Sequence, residues 1–287
     1  MPELPEVETI KRDLEHRVLN KKITDIWIEK SFAKKISPDA AEFLSLIKHK
    51  FTCLARKAKL LVFCVDDNRF VLCHLKMTGQ LVYRVDSGKI VAGGHEIVGA
   101  TSVPNKYTRV IFSFADKSKL YFNDLRKFGY FKLMNEASKE KELQKYGIDA
   151  LDPAFDHERF IEILKSKPTN RIKQLLLSQD LISGLGNIYA DEVLFAAKVK
   201  PARRVKTLKK TERESLFHEI KRILKSGIEH GGTSVNTYRN GIGNEGGYQH
   251  LLKVYGKAGE PCSVCGNKLQ KTKIGGRTSN FCPKCQK

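Results

Sequence analysis

The sequence contains no long apolar stretch. The longest apolar run, Leu60–Val65, is far shorter than the roughly 20 residues that a helix needs to span a bilayer. The chain opens with Met1, Pro2 and Glu3 and lacks the hydrophobic core of a signal peptide. It also contains no internal repeat and no low-complexity segment. We therefore expect a cytoplasmic protein with no membrane anchor.

Acidic residues are scarce relative to basic ones. Asp and Glu number 32 against 52 Lys and Arg, which gives a formal net charge of +20 at pH 7. A charge of this size repels itself unless a polyanion is nearby, so nucleic acid is the expected partner and an anionic membrane surface is the weaker alternative. The hydrophobic content of 41% is ordinary for a globular protein and excludes disorder over the whole chain.

The sequence also lacks the even set of cysteines expected of a disulfide framework. It has seven, and three of them, Cys53, Cys64 and Cys73, lie in apolar runs. Because an odd number of cysteines in a reducing compartment does not suit paired disulfides, we expect these three to be small buried hydrophobic residues.

The other four cysteines form two pairs near the end of the chain. Cys262 and Cys265 are followed, after sixteen residues, by Cys282 and Cys285. Two Cys-x-x-Cys pairs at this distance are typical of a tetrahedral Zn²⁺ site with four thiolates, and the residues between them form a hairpin. Because cysteine fills every position, we expect one structural zinc ion that folds the module and performs no chemistry.

Two basic or glycine-containing segments indicate contact with phosphates. The hairpin between the cysteine pairs has no acidic residue, and Gly275 and Gly276 allow a tight turn that presents Arg277. Further upstream, Gly184 and Gly186 precede Asn187, which we expect to be the N-cap of a helix whose free N–H groups face phosphate.

The periodicity of apolar residues divides the chain into four parts. A helix is predicted over residues 3–19. Alternating patterns predict strands at 23–29, 51–65, 70–75, 81–85, 110–114, 120–123 and 130–134, interrupted by a helix at 39–48. Helices are predicted at 158–164, 170–178, 187–197 and 212–229. We therefore expect an α+β chain: an antiparallel β-sandwich with flanking helices over 1–135, a linker over 136–156, a helical domain over 157–234, and a glycine-rich loop followed by a zinc hairpin over 235–287.

Five separated motifs resemble those of the bacterial formamidopyrimidine-DNA glycosylases, in the same order and across the whole chain. They are Met1-Pro2-Glu3-Leu4-Pro5-Glu6-Val7-Glu8-Thr9, His74-Leu75-Lys76-Met77-Thr78-Gly79, Asp124-Leu125-Arg126-Lys127-Phe128-Gly129, Gly184-Leu185-Gly186-Asn187-Ile188-Tyr189 and the four-cysteine finger. The resemblance implies a helix-two-turns-helix domain and a bifunctional glycosylase and AP lyase of base excision repair. Its implied partner is double-stranded DNA that contains oxidised purines. The resemblance also implies a monomer that lies in the bacterial cytoplasm and is associated with the nucleoid through DNA.

The start of the chain supports this chemistry on physical grounds. Removal of Met1 before the small Pro2 is expected to free a secondary amine, and an α-amine has a pKa near 8. A neutral fraction can therefore attack C1′ of a deoxyribose and form an iminium. By resemblance, Glu3 is the general acid–base, Glu6 supports the site, and Lys59 contacts DNA and donates a proton in β-elimination. Arg277 is implied to bind phosphates beside the lesion and to assist the second elimination.

The resemblance also implies how the damaged base leaves the duplex. Met77, Arg126 and Phe128 correspond to a triad that fills the gap left by the everted nucleotide, and Arg126 offers donors to an orphaned cytosine. The further DNA-contacting positions implied by the motifs and the alignment are His74, Tyr107, Lys173, Asn187 and Tyr238. Tyr238 begins a glycine-containing loop that corresponds to the loop closing over 8-oxoguanine. Tyr107 stands where many relatives carry histidine, and a tyrosine hydroxyl can still form a hydrogen bond with a phosphate.

Two other readings remain open at the level of sequence. An endonuclease VIII-like glycosylase has the same architecture but prefers oxidised pyrimidines. A non-catalytic, structure-specific DNA-binding protein could also have this charge and finger. The simultaneous presence of Pro2, Glu3 and Lys59 argues against the second of these.

Overall fold

The structure is a computed structural model that describes residues 1–85, 90–95, 103–234, 238–239 and 246–287. For residues 90–95 and 238–239 only the backbone is described. The chain divides into two compact units. The first consists of Met1–Gln144 and His230–Gln249, and the second of Lys145–Glu229 and His250–Lys287.

The first unit is built on two β-sheets. The strands in chain order are β1 (Ile23–Ile28), β2 (Ile36–Ser37), β3 (Phe51–Lys57), β4 (Leu60–Val65), β5 (Phe70–His74), β6 (Gly79–Arg84), β7 (Ile90–His95), β8 (Thr108–Phe114), β9 (Lys119–Asp124), β10 (Tyr130–Met134) and, numbered last in this unit, β13 (Tyr238–Arg239). One sheet has the order β1-β8-β9-β6-β7-β13, and the other has the order β2-β10-β5-β4-β3. All neighbouring strands are antiparallel except β2 and β10.

Aromatic side chains join the inner faces of the two sheets. The ring of Phe112 on β8 lies 5.7 Å from that of Phe51 on β3 and 6.1 Å from that of Phe131 on β10. All three side chains are buried. Burying an aromatic side chain of this size contributes about 1.5–3 kcal/mol, so these contacts hold the sandwich closed. The predicted α+β class with an antiparallel sandwich is confirmed.

Helices flank the sandwich. They are α1 (Leu4–Val18), α2 (Ala40–Leu44) and α3 (Glu136–Leu143), with a 3-10 helix at Lys30–Lys35. On α1, Val7, Ile10, Leu14 and Val18 recur at helical spacing and are at most 1% exposed. Pro5 occupies the first turn, where a missing N–H costs nothing. The predicted helix at 3–19 therefore matches α1, whereas α2 is shorter than the predicted 39–48.

Two expectations for the strands and cysteines were wrong. The predicted strand at 51–65 is a hairpin of β3 and β4, which turns at Ala58 and Lys59. Cys53 and Cys64 lie opposite each other on these two strands and form a disulfide, so they are not independent hydrophobic residues. The pairing arises from the hairpin register, which the prediction of one continuous strand over 51–65 did not include. Cys73 is a free, buried thiol as expected.

The second unit is mainly helical and ends in a hairpin. Its helices are α4 (His157–Ser166), α5 (Ile172–Leu177), α6 (Asn187–Ala196) and α7 (Lys210–Glu229), with 3-10 turns at Val205–Thr207 and Tyr248–Leu251, the latter beginning in the first unit. Its strands are β11 (Ile148–Asp149), β12 (Ile182–Ser183), β14 (Gln270–Ile274) and β15 (Arg277–Phe281). The four predicted helices are all present. None of the helices in the described ranges combines the length and apolar character needed to cross a bilayer.

Two local details differ from the sequence-based expectations. The N-cap of α6 is Gly186, and Asn187 is the first helical residue, so its side chain does not cap the helix. The segment 136–156, expected to be a linker, contains α3 and β11. Lys132 of β10 pairs with Glu142 of α3 at 2.6 Å, which fastens this helix to the first unit.

Candidate catalytic and DNA-contacting sites

The predicted nucleophile and its carboxylates lie at the start of α1. Pro2, Glu3 and Glu6 are all buried. Glu6 Oε2 accepts a hydrogen bond from the Glu3 backbone N–H at 2.8 Å, and its Oε1 accepts one from the Thr233 N–H at 2.8 Å. Glu6 therefore holds the backbone at the predicted acid–base residue, which goes beyond the role of a first-turn helix charge. Met1, which is 42% exposed, acylates the Pro2 nitrogen until it is removed.

Lys59 occupies the turn between β3 and β4. It is 5% exposed, and Ala58 before it has a φ of 55°, which is unusual for a residue with a side chain. Arg56 Nη1 donates to the Ala58 carbonyl at 3.0 Å, and Arg56 Nε donates to Glu8 of α1 at 2.8 Å. Burial alone would raise the pKa of Glu8, but the hydrogen bonds and charges of Arg56 and Arg12 lower it. The turn that carries Lys59 is thus fastened to α1, the helix that follows Pro2 and Glu3.

His74 ends β5 as a buried, neutral imidazole. Its burial, followed by the charges of Lys76 and Lys59, lowers its pKa to about 3. His74 Nδ1 accepts from the Lys76 backbone N–H at 2.9 Å, so in the neutral ring the proton is on Nε2. An Nε2–H donor of this kind can bind a phosphate oxygen without bringing a charge into the site.

The predicted triad forms one cluster at two neighbouring strand ends. The Arg126 guanidinium lies 4.6 Å from the centre of the Phe128 ring, and its Nη1 is 3.4 Å from Met77 Sδ. Met77 and Phe128 are 44% and 45% exposed, so they are not core residues. Leu125, which the sequence did not single out, is 49% exposed on the same loop. Both apolar side chains therefore lie at the surface of the first unit.

Tyr107 and Tyr238 take part in the first unit through their backbones. Tyr107 is half-buried, and its carbonyl accepts from the Asp124 N–H at 2.9 Å, so its backbone supports the loop that carries Arg126. Tyr238 begins β13, which pairs with β7. Its side chain and the glycine-containing segment 240–245 lie outside the described residues, so the predicted lesion-recognition loop stays a prediction.

In the second unit, Lys173 and Asn187 converge on the finger hairpin. Lys173 is fully buried and forms an ion pair with Asp191. Its Nζ lies 3.5 Å from the Thr278 carbonyl, and Asn187 Nδ2 donates to the same carbonyl at 3.0 Å. This placement departs from the expectation of a phosphate-contacting lysine, because here the ammonium is held inside the unit. Both side chains contact the carbonyl of Thr278, the residue that follows Arg277.

Asp191 and Glu192 of α6 fasten the end of the chain to the helices. Asp191 Oδ2 accepts from the backbone and side-chain nitrogens of Asn280 at 2.9 and 3.0 Å. Glu192 accepts from three successive backbone N–H groups. Neither residue was predicted from the sequence, because an acidic residue on a helix gives no signal of burial. The three donors belong to Lys253, Val254 and Tyr255.

The four terminal cysteines form a metal site. Their ligand atoms all lie within 4.8 Å of one another, and the Cys262–Cys285 and Cys265–Cys282 sulfur atoms are 3.9 and 3.6 Å apart. A tetrahedron with Zn–S bonds of about 2.3 Å has S···S edges of about 3.8 Å, so the four sulfur atoms fit one zinc ion. The protein therefore binds one structural zinc through Cys262, Cys265, Cys282 and Cys285.

Arg277 follows a two-glycine turn at the tip of the finger. Gly275 and Gly276 have φ values of 54° and 75°, as a tight hairpin between β14 and β15 requires. A side chain at Gly275 would meet Gln174 Nε2 at 2.9 Å. The turn leaves Arg277 exposed, and its contact with phosphate stays a prediction.

Three models of known protein domains match successive parts of the chain. Residues 1–131 match the model of the formamidopyrimidine-DNA glycosylase N-terminal domain, and residues 146–239 match the H2TH domain of the same proteins. Residues 259–287 match the zinc finger found in FPG and IleRS. The three domains together define the class of the protein: a DNA-repair glycosylase with a structural zinc finger.

Curated relatives extend over the full chain. The formamidopyrimidine-DNA glycosylases of Pelotomaculum thermopropionicum and Streptococcus mutans are each 38% identical over 291 residues, with 100% of this chain covered and 99% and 100% of theirs. The chain belongs to the formamidopyrimidine-DNA glycosylase family and is an enzyme of base excision repair. Glycosylase activity in this family is accompanied by lyase activity.

Solved structures of similar proteins contain DNA. The Lactococcus lactis Fpg in complex with abasic-site DNA has a TM-score of 0.87 at 33% identity and covers 99% of each chain. A variant of that protein bound to Fapy-dG DNA has a TM-score of 0.88 at 33% identity. MutM in complex with DNA that contains carbocyclic 8-oxo-G has a TM-score of 0.87 at 32% identity, and both of these cover 100% of each chain. Each of these three similar proteins is bound to DNA that carries an abasic site, Fapy-dG or carbocyclic 8-oxo-G.

Proposed function

We propose that the protein removes oxidised purines, 8-oxoguanine and formamidopyrimidines, through a covalent intermediate on Pro2 and then cuts the strand by β,δ-elimination. The observation that carries the proposal is the start of α1, where Pro2 adjoins two buried carboxylates and Glu6 binds the Glu3 backbone at 2.8 Å. The similar proteins bound to Fapy-dG and 8-oxo-G DNA support this substrate class.

The chemistry begins at the Pro2 nitrogen once Met1 has been removed. The nitrogen attacks C1′, the glycosidic bond breaks, and its electron pair leaves with the base, which Glu3 protonates. Loss of the remaining N–H proton lets the nitrogen form the C1′=N double bond of an iminium, while the C1′–O4′ bond breaks and O4′ takes up a proton. The iminium acidifies the C2′ proton; loss of that proton to water breaks the C3′–O bond, and the 3′ phosphate leaves with the electron pair and with proton donation by Lys59. Loss of the C4′ proton then breaks the C5′–O bond, and the 5′ phosphate leaves with its electron pair, assisted by Arg277. Water hydrolyses the remaining C=N bond and releases Pro2.

The remaining predicted residues bind and open the duplex. Met77, Arg126 and Phe128 fill the space of the everted nucleotide, and the Arg126 donors select a cytosine opposite the lesion. His74, Tyr107 and Asn187 contribute contacts to DNA. Tyr238 belongs to the loop proposed to close over the base. Lys173 acts by supporting the finger through Thr278. The protein works as a monomer in the cytoplasm, associated with the nucleoid through DNA.

Borohydride trapping tests the nucleophile. An 8-oxoguanine:cytosine duplex should give a covalent adduct, and peptide mapping should locate it at Pro2. A version with a cleavable N-terminal extension should not trap, and proteolysis that leaves Pro2 first should restore trapping. Equal trapping by the extended protein would show that another amine is the nucleophile.

Substrate comparison tests the lesion class. The protein should cleave 8-oxoguanine:cytosine duplexes faster than thymine-glycol duplexes. Faster cleavage of thymine glycol would assign the chain the specificity of endonuclease VIII-like enzymes. Tight binding of abasic DNA without any trapping would instead indicate a binding protein that lacks chemistry.

A further inference from the structure

The two exposed strand ends that carry Met77, Arg126 and Phe128 meet at one buried carboxylate. Asp124 is the last residue of β9 and is 0% exposed. Its side chain points between the turn that follows β5 and the loop that precedes β10. In the sequence, Asp124 is the first residue of the motif Asp124-Leu125-Arg126-Lys127-Phe128-Gly129, and the resemblance implies no role for it.

Asp124 binds both of these segments through its side chain. Its Oδ1 accepts from the Thr78 hydroxyl and, at 3.1 Å, from the Arg126 N–H. Its Oδ2 accepts from the Gly129 N–H at 2.7 Å. The Arg126 N–H is shared, because it also points to Thr78 Oγ1 at 3.1 Å. The carboxylate therefore binds Thr78, which follows Met77, and Gly129, which follows Phe128. It also binds the backbone of Arg126.

The backbone of Asp124 is fixed as well. Its carbonyl accepts from Arg109 Nε at 2.9 Å, and its N–H donates to the Tyr107 carbonyl at 2.9 Å. Arg109 is itself held by Glu29, which lies 3.3 Å from Arg109 Nη1. The backbone of Asp124 is thus anchored to the six-stranded sheet. Its position is therefore fixed independently of the two loops that its side chain binds.

Glycine at two positions lets the chain come this close. A Cβ on Gly129 would lie 2.6 Å from the Phe122 ring and 3.1 Å from Asp124 Oδ2, so a side chain there would push the backbone away from the carboxylate. A Cβ on Gly79 would collide with the Leu75 backbone, with which Gly79 N–H forms a 2.9 Å hydrogen bond. Both turns depend on glycine for the geometry that presents Met77 and Phe128.

We infer that Asp124 and Thr78 are positioning residues that join the two strand ends into one rigid wedge, and that this rigidity sets the preference for cytosine opposite the lesion. The inference rests on the proposed function. Arg126 can select cytosine only if its donors have a fixed direction. Two side-chain oxygens that accept from its backbone N–H, together with the stacked Phe128 ring, provide that direction. A wedge with a loose Arg126 backbone would still enter the duplex but would discriminate less between opposite bases.

The test compares isosteric variants on three substrates. Thr78→Val removes the hydroxyl that bridges Asp124 and Arg126, Thr78→Ser keeps it, and Asp124→Asn replaces an acceptor oxygen with a donor nitrogen. Each variant is assayed on 8-oxoguanine:cytosine and 8-oxoguanine:adenine duplexes. Each is also trapped with borohydride on single-stranded abasic DNA, which has no opposite base and needs no wedge. Thr24→Val serves as the matched control, because the Thr24 hydroxyl donates to Ser113 at the surface, away from these loops.

We expect Thr78→Val to lower the cytosine-to-adenine ratio by about 10-fold, the size of losing one hydrogen bond to a charged group. Single-strand trapping should stay within about threefold of the wild-type rate, a change worth well under 1.4 kcal/mol. Thr78→Ser should restore the ratio, Asp124→Asn should lower it further, and Thr24→Val should leave it unchanged.

Two results would overturn the inference. One is a wild-type cytosine-to-adenine ratio in Thr78→Val. The other is an equal loss of duplex cleavage and single-strand trapping, which would indicate general damage to the fold. If Asp124→Asn does not fold, the two Thr78 variants still decide the matter. Failure of the wild-type protein to trap on any abasic DNA would refute the proposed function and not the wedge.

Discussion

At the scale of single residues, burial decides which ionisable groups can change charge. His74 is the clearest case, since burial and two neighbouring lysines lower its pKa to about 3, far below its usual value of 6.5. Between these pH values the unfolded chain binds a proton at His74 and the folded chain does not. Unfolding therefore takes up a proton, and the folded protein loses stability as the pH falls below 6.5.

The stability of the protein should reflect this group. At pH 5 the loss from His74 relative to pH 8 should be about 2 kcal/mol, because each pH unit below 6.5 contributes about 1.4 kcal/mol. Urea unfolding of the wild-type protein and of His74→Gln at both pH values measures the effect. The variant should lose about 2 kcal/mol less than the wild type on acidification. Equal losses would mean that His74 is protonated in the folded state.

At the scale of elements, the β3–β4 hairpin is tied to α1 through one carboxylate with two arginine partners. Arg56 and Arg12 both bind Glu8, at 2.8 and 2.9 Å, but their side chains are 10% and 61% exposed. A buried ion pair leaves an uncompensated charge when one partner is lost, whereas an exposed pair is replaced by water. The two arginines therefore form a matched pair for measurement.

Arg56→Met should destabilise the protein by about 3 kcal/mol, and Arg12→Met should cost less than about 1 kcal/mol. Urea unfolding at pH 7 measures both. Because Arg56 also holds the Ala58 carbonyl, single-turnover strand cleavage should slow in Arg56→Met, while DNA affinity should change little. Similar costs for the two variants would contradict the assigned difference in burial.

Elements whose pattern is local could be predicted from the sequence, and those that depend on distant residues could not. The apolar period of α1 and the spacing of the cysteines predicted a helix and a metal site, because both patterns are local. The turn at Ala58 and Lys59 was missed because it lies inside the predicted strand 51–65 and contains no glycine. The Cys53–Cys64 disulfide depends on that hairpin register, so it was missed with the turn. Burial of Lys173 could not be predicted, since its partner Asp191 is on another helix.

At the scale of the whole molecule, the net charge of +20 predicts DNA binding that weakens with salt. Arg277→Gln should reduce the slope of log affinity against log salt by about 1, as for the loss of one phosphate contact. Fluorescence anisotropy with abasic duplexes over a range of salt concentrations measures this slope. Arg222→Gln is the control, because Arg222 is exposed on α7 and paired with Glu219. If the slope for Arg277→Gln equals that of the wild type, Arg277 does not contact phosphate.

Loss of zinc should affect more than the finger. Cys262 and Cys282 belong to a buried cluster with Leu269, Val254 and Phe195 of α6. Chelation should therefore release the finger and expose Phe195. We expect DNA affinity to fall by at least about 10-fold, since structural zinc supplies the folding energy of such a module. Anisotropy and limited proteolysis before and after chelation, with readdition of zinc, measure the effect. Unchanged affinity after complete zinc loss would contradict it.

The bond between Glu6 and the Thr233 N–H joins residues 227 positions apart. A nascent chain that has not yet reached Thr233 cannot make this bond, however complete its sandwich is. The ribosome therefore synthesises the Pro2 end long before it adds Thr233. A translation product that ends before residue 233 could still form the local bond from the Glu3 N–H to Glu6, but the second oxygen of Glu6 would lack its Thr233 donor.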